Sequence, residues 1–562
     1  MGWTELAATV AGACDRLQRD AADAGATQQA LLRDILSRHR SCAFARAHGF
    51  DRVLDRCRRA AGGSMDGLVA WRDAVPPGDY ERFAPSIEAM AAGEPGLLVD
   101  EPLAAFERTG GSTGGTKLVP LTASGLALLR QGLFAWLDDL CLERPAVMAG
   151  TSYWSISPAS RRPEASAGGI RIGLASDAEY FGDAAAAVGS LLCVPPAVAA
   201  IDDIEAWRNT TLHYLLADER LAMVSVWSPT FWTELCRQAV EGRERLVDAI
   251  ASGRRPDALP PAVDAALARL RADPQRALRV DAALRAPVPD WAAIWPRLAL
   301  LSCWTHASAA AWVPSLAAAF PMLEIQGKGL LATEAIVSVP LCDGGDPVAA
   351  VGSTVIEFED DGGRCFGCHE VEQGGEYAVL VTTSAGLYRY RLGDRVRVTG
   401  HWQHAPRLRL LGRGTATGDL CGEKLDEAFV LGCWQAALEA DGGTGGAASS
   451  GRGMRTMRTM RLVPVRTPVA GYVLVLDAAD GGQGDAARLA MLLDERLAHN
   501  PQYAYARRLG QLAPVAACRV DRLAARLQAL ALAGGQRLGD AKPGVLGRVG
   551  EPDLASFAVA RP

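Results

Sequence analysis

The chain of 562 residues is 49% hydrophobic and 22% charged, which excludes wholesale disorder and collagen-like structure. Its 58 basic and 64 acidic residues give a net charge of −6, which argues against binding of the chain as a whole to nucleic acid or to an anionic membrane. Its 13 cysteines, an odd number scattered over a long chain, predict reduced thiols rather than a disulfide framework.

The N-terminus and two uncharged stretches bear on the cellular location. The first residues include Glu5 and lack both the basic region and the leucine-rich region of a secretory signal. Residues 184–201 and 307–323 are uncharged, but both contain prolines and neither offers the about 20 strongly apolar residues of a bilayer span. We therefore expect a cytoplasmic protein without membrane or nucleic-acid partners, and we expect a monomer.

Hydrophobic periodicity predicts an α/β fold for most of the chain. Apolar residues between positions 31 and 36 repeat at helical spacing and predict an amphipathic helix over residues 28–38. Between residues 110 and 400, helical stretches alternate with short β-rich runs such as residues 377–383. This alternation is typical of an α/β architecture.

A second, smaller domain is predicted at the C-terminal end. The strand-like residues 407–411 run into Gly-Arg-Gly at 412–414, which we interpret as a hinge. We therefore predict a large N-terminal α/β domain over residues 1–411 and a small α+β domain over residues 412–562. The elements predicted in the small domain are a helix from Asp426, a loop over residues 441–451, a strand over residues 472–476 and a helix over residues 485–498.

The strongest local signal is the glycine- and hydroxyl-rich sequence from Thr109 to Lys117. Glycines let the backbone approach a ligand, hydroxyl groups donate to phosphate oxygens, and the lysine supplies positive charge. A Walker A loop is excluded, because Thr116 separates Gly115 from Lys117 and no hydroxyl residue follows the lysine. The composition of this sequence favours a loop that binds nucleotide phosphates.

Two other interpretations of this sequence remain open. Residues 110–114 match the nucleophile elbow Gly-x-Ser-x-Gly, which would make Ser112 the nucleophile of a serine hydrolase with His499 as its histidine. Lys117 has no role in such an enzyme. The sequence could also be a glycine-rich surface turn without function.

Further motifs follow in the order found in one enzyme family. They are Ser225–Phe231, Gln326–Glu334, Gly386–Asp394, Gly422–Glu427 and Asn500–Tyr505. With the glycine-rich loop, they resemble the auxin-responsive-promoter family of acyl-acid amido synthetases in its bacterial form, within the acyl-adenylate-forming superfamily. The resemblance extends over nearly the whole chain, from about residue 30 to about residue 545.

The resemblance implies a two-domain ligase that uses ATP and Mg²⁺ and has a mobile small domain. Such an enzyme adenylates a small carboxylic acid and releases pyrophosphate. It then transfers the acyl group to an amine, in this family that of an amino acid, and forms an amide and AMP. The alternative within the superfamily is transfer to coenzyme A with formation of a thioester.

The resemblance also implies roles for single residues. Glu334 would bind Mg²⁺ with Thr333 beside it, since a hard cation that bridges phosphates takes oxygen ligands. Glu334 follows an apolar Leu-Leu-Ala sequence that we interpret as the end of a strand. Asp394 would accept hydrogen bonds from ribose; pairing with Arg391 or Arg395 is an equal alternative.

The remaining assignments complete the predicted site. The residues implied to bind ATP or AMP are Thr109, Gly111, Ser112, Thr113, Gly114, Lys117, Thr333, Asp394 and Arg413. Lys542 and Lys424 would join Glu334 as catalytic residues by supplying mobile positive charge. For the acyl pocket we choose Tyr153, Trp154 and Trp227, because aromatic walls suit the apolar part of a carboxylic acid.

Two short motifs suggest metal chemistry but are interpreted as coincidental. Residues 365–369 read Cys-Phe-Gly-Cys-His, which matches the attachment motif of c-type haem. That chemistry belongs to exported proteins, and the two cysteines lack a second ligand pair for zinc. His401 and His404 likewise lack partners, so we expect them on a surface turn.

Overall fold

The computed structural model describes residues 2–59, 65–109, 117–155, 164–174, 177–413, 417–418, 420–421, 423, 425–443, 460–465, 470–480, 483–508, 510–533 and 544–547. The chain divides into two compact units. The first contains residues 1–227, 231–304 and 322–410, and the second contains residues 228–230, 305–321 and 411–562.

The described residues form helices and strands that are numbered here in chain order. The helices are α1 (Gly2–Val10), α2 (Ala13–Ala22), α3 (Ala24–Arg38), α4 (Ala43–His48), α5 (Phe50–Arg59), α6 (Asp66–Ala74), α7 (Tyr80–Ala91), α8 (Ala123–Glu143), α9 (Ala185–Leu191), α10 (Ile204–Ala217), α11 (Pro229–Glu241), α12 (Arg243–Ser252), α13 (Pro261–Ala266), α14 (Pro274–Arg285), α15 (Trp291–Ile294), α16 (Val313–Ala319), α17 (Glu427–Gly443), α18 (Gln483–Leu497), α19 (Pro501–Arg508) and α20 (Leu523–Ala533). The strands are β1 (Leu103–Thr109), β2 (Lys117–Thr122), β3 (Thr151–Trp154), β4 (Glu164–Ala165), β5 (Arg171–Ile172), β6 (Leu221–Ser225), β7 (Leu300–Cys303), β8 (Glu324–Gly327), β9 (Ser338–Val339), β10 (Val348–Ala349), β11 (Val355–Glu359), β12 (Cys365–Gly367), β13 (Glu376–Thr382), β14 (Tyr390–Trp402), β15 (Ala405–Arg413), β16 (Thr417–Gly418), β17 (Leu425–Asp426), β18 (Met460–Val465), β19 (Gly471–Asp477) and β20 (Ala516–Val520).

A parallel sheet in the order β3-β6-β7-β8 forms the α/β part of the first unit. Leu221 to Ser225 of β6 and Leu300 to Cys303 of β7 are buried along their whole length, as expected for strands covered on both faces. The carboxyl ends of all four strands meet at one edge, which is where ligands bind in open α/β sheets.

Two further sheets belong to the first unit. One has the order β2-β1-β5-β4, and in it Thr109 pairs with Lys117, so that residues 110–116 connect the paired ends of a hairpin. The other is a seven-stranded sheet in the order β12-β11-β13-β14-β15-β10-β9. Its β13–β14 pairing shifts register opposite Gly393, where φ is +81°.

The second unit is smaller and is built around the sheet β18-β19-β20. Its core joins Trp434 of α17 and Leu489 of α18 to Leu474 of β19, all fully or almost fully buried. The predicted fold class, a large α/β domain followed by a smaller α+β domain, is confirmed.

Most of the predicted elements are present with small shifts of their ends. Helix α3 contains the predicted residues 28–38, and the strand predicted at the end of the large domain corresponds to β15. The strand and the two helices predicted in the small domain correspond to β19, α17 and α18. The loop predicted from Asp441 is wrong at its start, because α17 continues through the two following glycines to Gly443. No helix among the described residues has the length and apolar character to cross a bilayer.

Candidate active site

The end of the glycine-rich loop is held by a tyrosine. The Tyr80 hydroxyl accepts a hydrogen bond from the Leu118 backbone N–H at 3.0 Å and donates to its carbonyl oxygen at 3.1 Å. The Lys117 ammonium lies 4.9 Å from the centre of the Tyr80 ring and 3.8 Å from a carboxylate oxygen of Glu81. These two contacts position the Lys117 side chain directly after the loop, and the side chain stays partly exposed to solvent.

The hairpin disfavours the serine hydrolase interpretation. A nucleophile elbow passes from a strand into a helix, whereas residues 110–116 join two antiparallel strands. His499, the histidine of that interpretation, is exposed and its Nδ1 contacts the carbonyl oxygen of Arg496 at 2.9 Å.

Several predicted residues fall outside the described residues. These are Gly111, Ser112, Thr113, Gly114, Lys424 and Lys542. Thr109 and Arg413 are the last residues of β1 and β15. Their roles stay predictions.

Glu334 lies in a tight turn, which corrects the expected strand end. Strand β8 ends at Gly327, and Leu331 forms only an isolated bridge with Ile336. The Ala332 N–H donates to the Ala335 carbonyl at 2.9 Å, so that Thr333 and Glu334 form the tip of the turn. Glu334 is half-buried in this turn.

Two tyrosines connect Glu334 to the rest of the site. The hydroxyl group of Tyr390, the first residue of β14, donates to a carboxylate oxygen of Glu334 at 3.3 Å. Burial raises the pKa of the Tyr80 hydroxyl, and the negative charge of Glu334 adds to that rise. Glu334 therefore lies within electrostatic reach of the tyrosine that holds the end of the glycine-rich loop.

We predict that Tyr390→Phe lowers the rate of the adenylation reaction implied by the family resemblance about 2- to 10-fold, because one hydrogen bond of about 0.5–1.5 kcal/mol to Glu334 is lost. The expected decrease is to be measured as ATP–pyrophosphate exchange. Tyr377→Phe, which removes a hydroxyl group from the neighbouring strand β13, is the matched control and should leave the rate unchanged. Equal effects of the two variants would contradict a role for Tyr390 in orienting Glu334.

Asp394 occupies a buried position in β14. Along this strand buried and partly exposed residues alternate, and Asp394 lies in the buried row that also contains Leu392 and Val396. Arg391 pairs with Glu359 at 2.7 Å and Arg395 pairs with Asp361 at 2.8 Å. Both arginines thus have carboxylate partners other than Asp394, and the role of Asp394 in binding ribose stays a prediction.

The three residues chosen for the acyl pocket lie in different surroundings. Tyr153 is 1% exposed, and its ring packs 6.1 Å from Trp232, on the face of the sheet opposite to Trp154. Trp154 pairs in register with Ser225, and Trp227 follows two residues beyond Ser225 on the same face. Trp154 and Trp227 therefore lie on the same face of the sheet, whereas Tyr153 lies in the core, where burial raises the pKa of its hydroxyl group.

A lysine that the sequence analysis did not select lies beside these tryptophans. Lys328 immediately follows β8, and its ammonium group donates to Ser225 Oγ at 2.8 Å. It lies 5.0 Å from the ring centre of Trp227 and 5.4 Å from that of Trp136. Its position in the Gln326–Glu334 motif was a signal, but a lone lysine in sequence is most often a solvated surface residue.

The described residues contain no group of three or more His, Cys, Asp or Glu side chains that could enclose a metal ion. His401, His404 and His369 line one cavity of about 270 Å³ without forming such a group. A magnesium ion that bridges phosphates needs only one or two carboxylates. The half-buried carboxylate of Glu334 fits that lesser requirement.

Comparison with known families matches most of the chain. The GH3 family N-terminal domain matches residues 13–325, more than half of the chain, and the GH3 family central domain matches residues 354–413. Indole-3-acetic acid-amido synthetase GH3.8 of Oryza sativa subsp. indica is 26% identical over 432 residues, which cover 72% of this chain and 68% of that protein. The probable indole-3-acetic acid-amido synthetase GH3.7 of Oryza sativa subsp. japonica is 25% identical over 495 residues, covering 74% of this chain and 73% of that protein.

Solved structures extend the similarity in fold to almost the full chain. A structure described as GH3.15 acyl acid amido synthetase superimposes with a TM-score of 0.81 at 18% identity, covering 97% of this chain and 95% of the other. A second, described as AtGH3.15 acyl acid amido synthetase in complex with 2,4-DB, gives 0.79 at 20% identity, covering 97% and 94%. This chain is therefore similar in fold to both solved structures over almost its whole length.

Proposed function

Because the chain belongs to the GH3 family, we propose that it is an ATP-dependent acyl-acid amido synthetase. It adenylates a small carboxylic acid and conjugates the acyl group to the amine of an amino acid. The observation that carries this proposal is the similarity to proteins named as amido synthetases over about three quarters of the chain. Their named substrate, indole-3-acetic acid, makes aromatic acids the first candidates.

The proposed reaction has two steps. A carboxylate oxygen of the acid attacks the α-phosphorus of ATP, the bond to the β-phosphate oxygen breaks, and pyrophosphate leaves. The neutral amine then attacks the acyl carbonyl carbon, the bond to the AMP oxygen breaks, and the amine nitrogen loses a proton. Both steps bring anions together or release them, so catalysis depends on positioning and on compensation of charge.

The described residues divide these tasks. Lys117 stands at the end of the phosphate loop, and Asp394 is proposed to hold ribose in the buried row of β14. Glu334, with Thr333, would hold Mg²⁺, which when bound neutralises phosphate charge. Tyr390 orients the Glu334 carboxylate.

The small domain is proposed to act as a mobile element after residue 411. Lys424 and Lys542 would supply positive charge to the α-phosphate during the first step and withdraw before the second. The cysteines are free thiols, which suits a reducing compartment, and we propose the cytoplasm as the place of the reaction.

Acid-dependent exchange of labelled pyrophosphate into ATP tests the proposal directly. We expect exchange with at least one member of a panel of aryl, indolyl and aliphatic acids, and a loss of about 100-fold in Lys542→Ala. AMP release should then increase on addition of amino acids. Release that responds to coenzyme A and not to amino acids would indicate the thioester alternative. A folded protein that binds ATP but exchanges pyrophosphate with no acid would contradict the proposal.

A further inference from the structure

Aromatic side chains and one lysine form a cluster at the carboxyl edge of the parallel sheet. We define the tryptophan–lysine cluster as Trp136, Trp154, Trp227, Trp304 and Lys328. The Trp227 and Trp304 ring centres are 5.6 Å apart, and those of Trp136 and Trp154 are 6.1 Å apart. Helix α8 closes the cluster on one side, because Trp136 Nε1 donates to Gln326 Oε1 at 2.9 Å.

The register of the strands explains why these side chains meet. Ser225 pairs with Trp154 on one side and with Ser302 on the other, so the three side chains form one row on one face. Trp227 and Trp304 follow two residues beyond Ser225 and Ser302, and they extend the same face beyond the strand ends.

Lys328 carries a positive charge that the described residues do not neutralise. Its nearest polar contact is the Ser225 hydroxyl, and no carboxylate within the described ranges forms an ion pair with it. Burial lowers the pKa of Lys328 to about 8, while the rings of Trp136 and Trp227 compensate part of the cost. We therefore expect the ammonium group of Lys328 to bind an anionic ligand.

Two unpaired polar groups in the adjacent row point to the same kind of ligand. Trp154 Nε1 and Ser302 Oγ are both buried and have no hydrogen-bond partner among the described residues. Unpaired buried donors are uncommon in native proteins and call for a ligand or water as partner. A carboxylate has two acceptor oxygens and no donor, and therefore complements one cation and these donors.

We propose that Lys328 binds the carboxylate of the free acid substrate, while Trp227 and Trp304 contact the ring or chain of the same molecule. This inference rests on the proposed function and names the residue that makes the site select acids over neutral analogues. Lys328 would thus determine specificity before any reaction with ATP takes place.

The test is ligand binding without ATP, measured by quenching of tryptophan fluorescence in the full-length protein. The probes are benzoate, phenylacetate and indole-3-acetate, each compared with its own carboxamide. We expect the wild type to bind at least one acid more tightly than its amide, and Lys328→Met to weaken the binding of that acid about 10- to 100-fold. Binding of the amide should not change, and Lys328→Arg should retain the preference for the acid.

The pH dependence gives a second readout that a structural role would not produce. The affinity of the wild type for the acid should fall as pH rises through about 8, because neutral Lys328 no longer attracts a carboxylate. None of the groups that face Lys328 changes its charge near pH 8. Ser225 and the tryptophans do not titrate in this range, and burial raises the pKa of the Cys303 thiol to about 12. The profile needs no variant, so it remains decisive if Lys328→Met does not fold.

Equal binding of every acid and its amide, or an unchanged preference in Lys328→Met, would overturn the inference. Pyrophosphate exchange with the same acids separates this failure from failure of the proposed function. Exchange without a contribution of Lys328 to binding contradicts the role of Lys328 alone. Absence of exchange with every acid contradicts the function itself.

Discussion

Glu334→Gln is expected to slow acid-dependent pyrophosphate exchange by at least about 100-fold, because it removes the negative charge that would hold Mg²⁺ against the phosphates. Glutamine has nearly the same shape and can still accept the hydrogen bond from Tyr390. The turn from Ala332 to Ala335 should therefore remain intact. A higher Mg²⁺ concentration for half-maximal exchange should accompany the loss.

Glu324→Gln is the matched control for this experiment. Glu324 lies at the start of the same segment, where its two carboxylate oxygens accept hydrogen bonds from Arg144 at 2.6 and 2.9 Å. The pair is largely exposed, so its loss should leave exchange and its Mg²⁺ dependence unchanged. If Glu334→Gln behaved like this control, Glu334 would have no part in binding the metal.

Local sequence patterns predicted the elements of the fold well where one face of an element is apolar. The apolar residues between positions 31 and 36 lie buried on α3, and those of α18 lie buried in the second unit. The prediction failed at Asp441, because the end of a helix depends on packing as well as on glycine content. Strand pairing between distant segments, such as β3 with β6, leaves no comparable local pattern.

The site was predictable in part, because its motifs are local while its contacts are not. Alternation in β3 indicates that Tyr153 and Trp154 point to opposite faces, but it does not say which face holds the ligand. The partners of Arg391 and Arg395 come from the end of β11 and the turn after it. Lys328 became a candidate only when the parallel strands placed it between Trp136 and Trp227.

A buried ion pair fixes the segment that carries Tyr390. Arg389 is 3% exposed, its Nε donates to Glu357 at 2.8 Å, and its guanidinium also donates to the carbonyl oxygens of Arg72 and Val75. The backbone of Arg389 has φ of +49°, a left-handed conformation that is unfavourable for a residue with a side chain. The ion pair therefore holds a strained residue directly before the tyrosine that contacts Glu334.

We expect Arg389→Met to lower the free energy of unfolding by up to about 3 kcal/mol, because buried Glu357 loses its closer cation and keeps only the ion pair with Arg72 at 3.3 Å among the described residues. The free energy of unfolding is to be measured by urea denaturation and compared with that of a second single variant, Arg391→Met. Arg391→Met, two residues further along the chain in β14, removes a pair that is more exposed and should cost about 0–1 kcal/mol.

The combined variant Arg389→Met with Glu357→Met distinguishes a buried charge from lost packing. Replacing both partners by apolar residues removes the buried carboxylate, while Arg72 keeps its ion pair with Glu370, so the double variant should regain much of the stability that the single variant loses. Its rate of pyrophosphate exchange should nevertheless be lower than that of the wild type, since the strained backbone before Tyr390 has lost the contacts that fix it. Recovery of stability and exchange together would show that the ion pair serves the fold alone and that the position of Tyr390 does not depend on it.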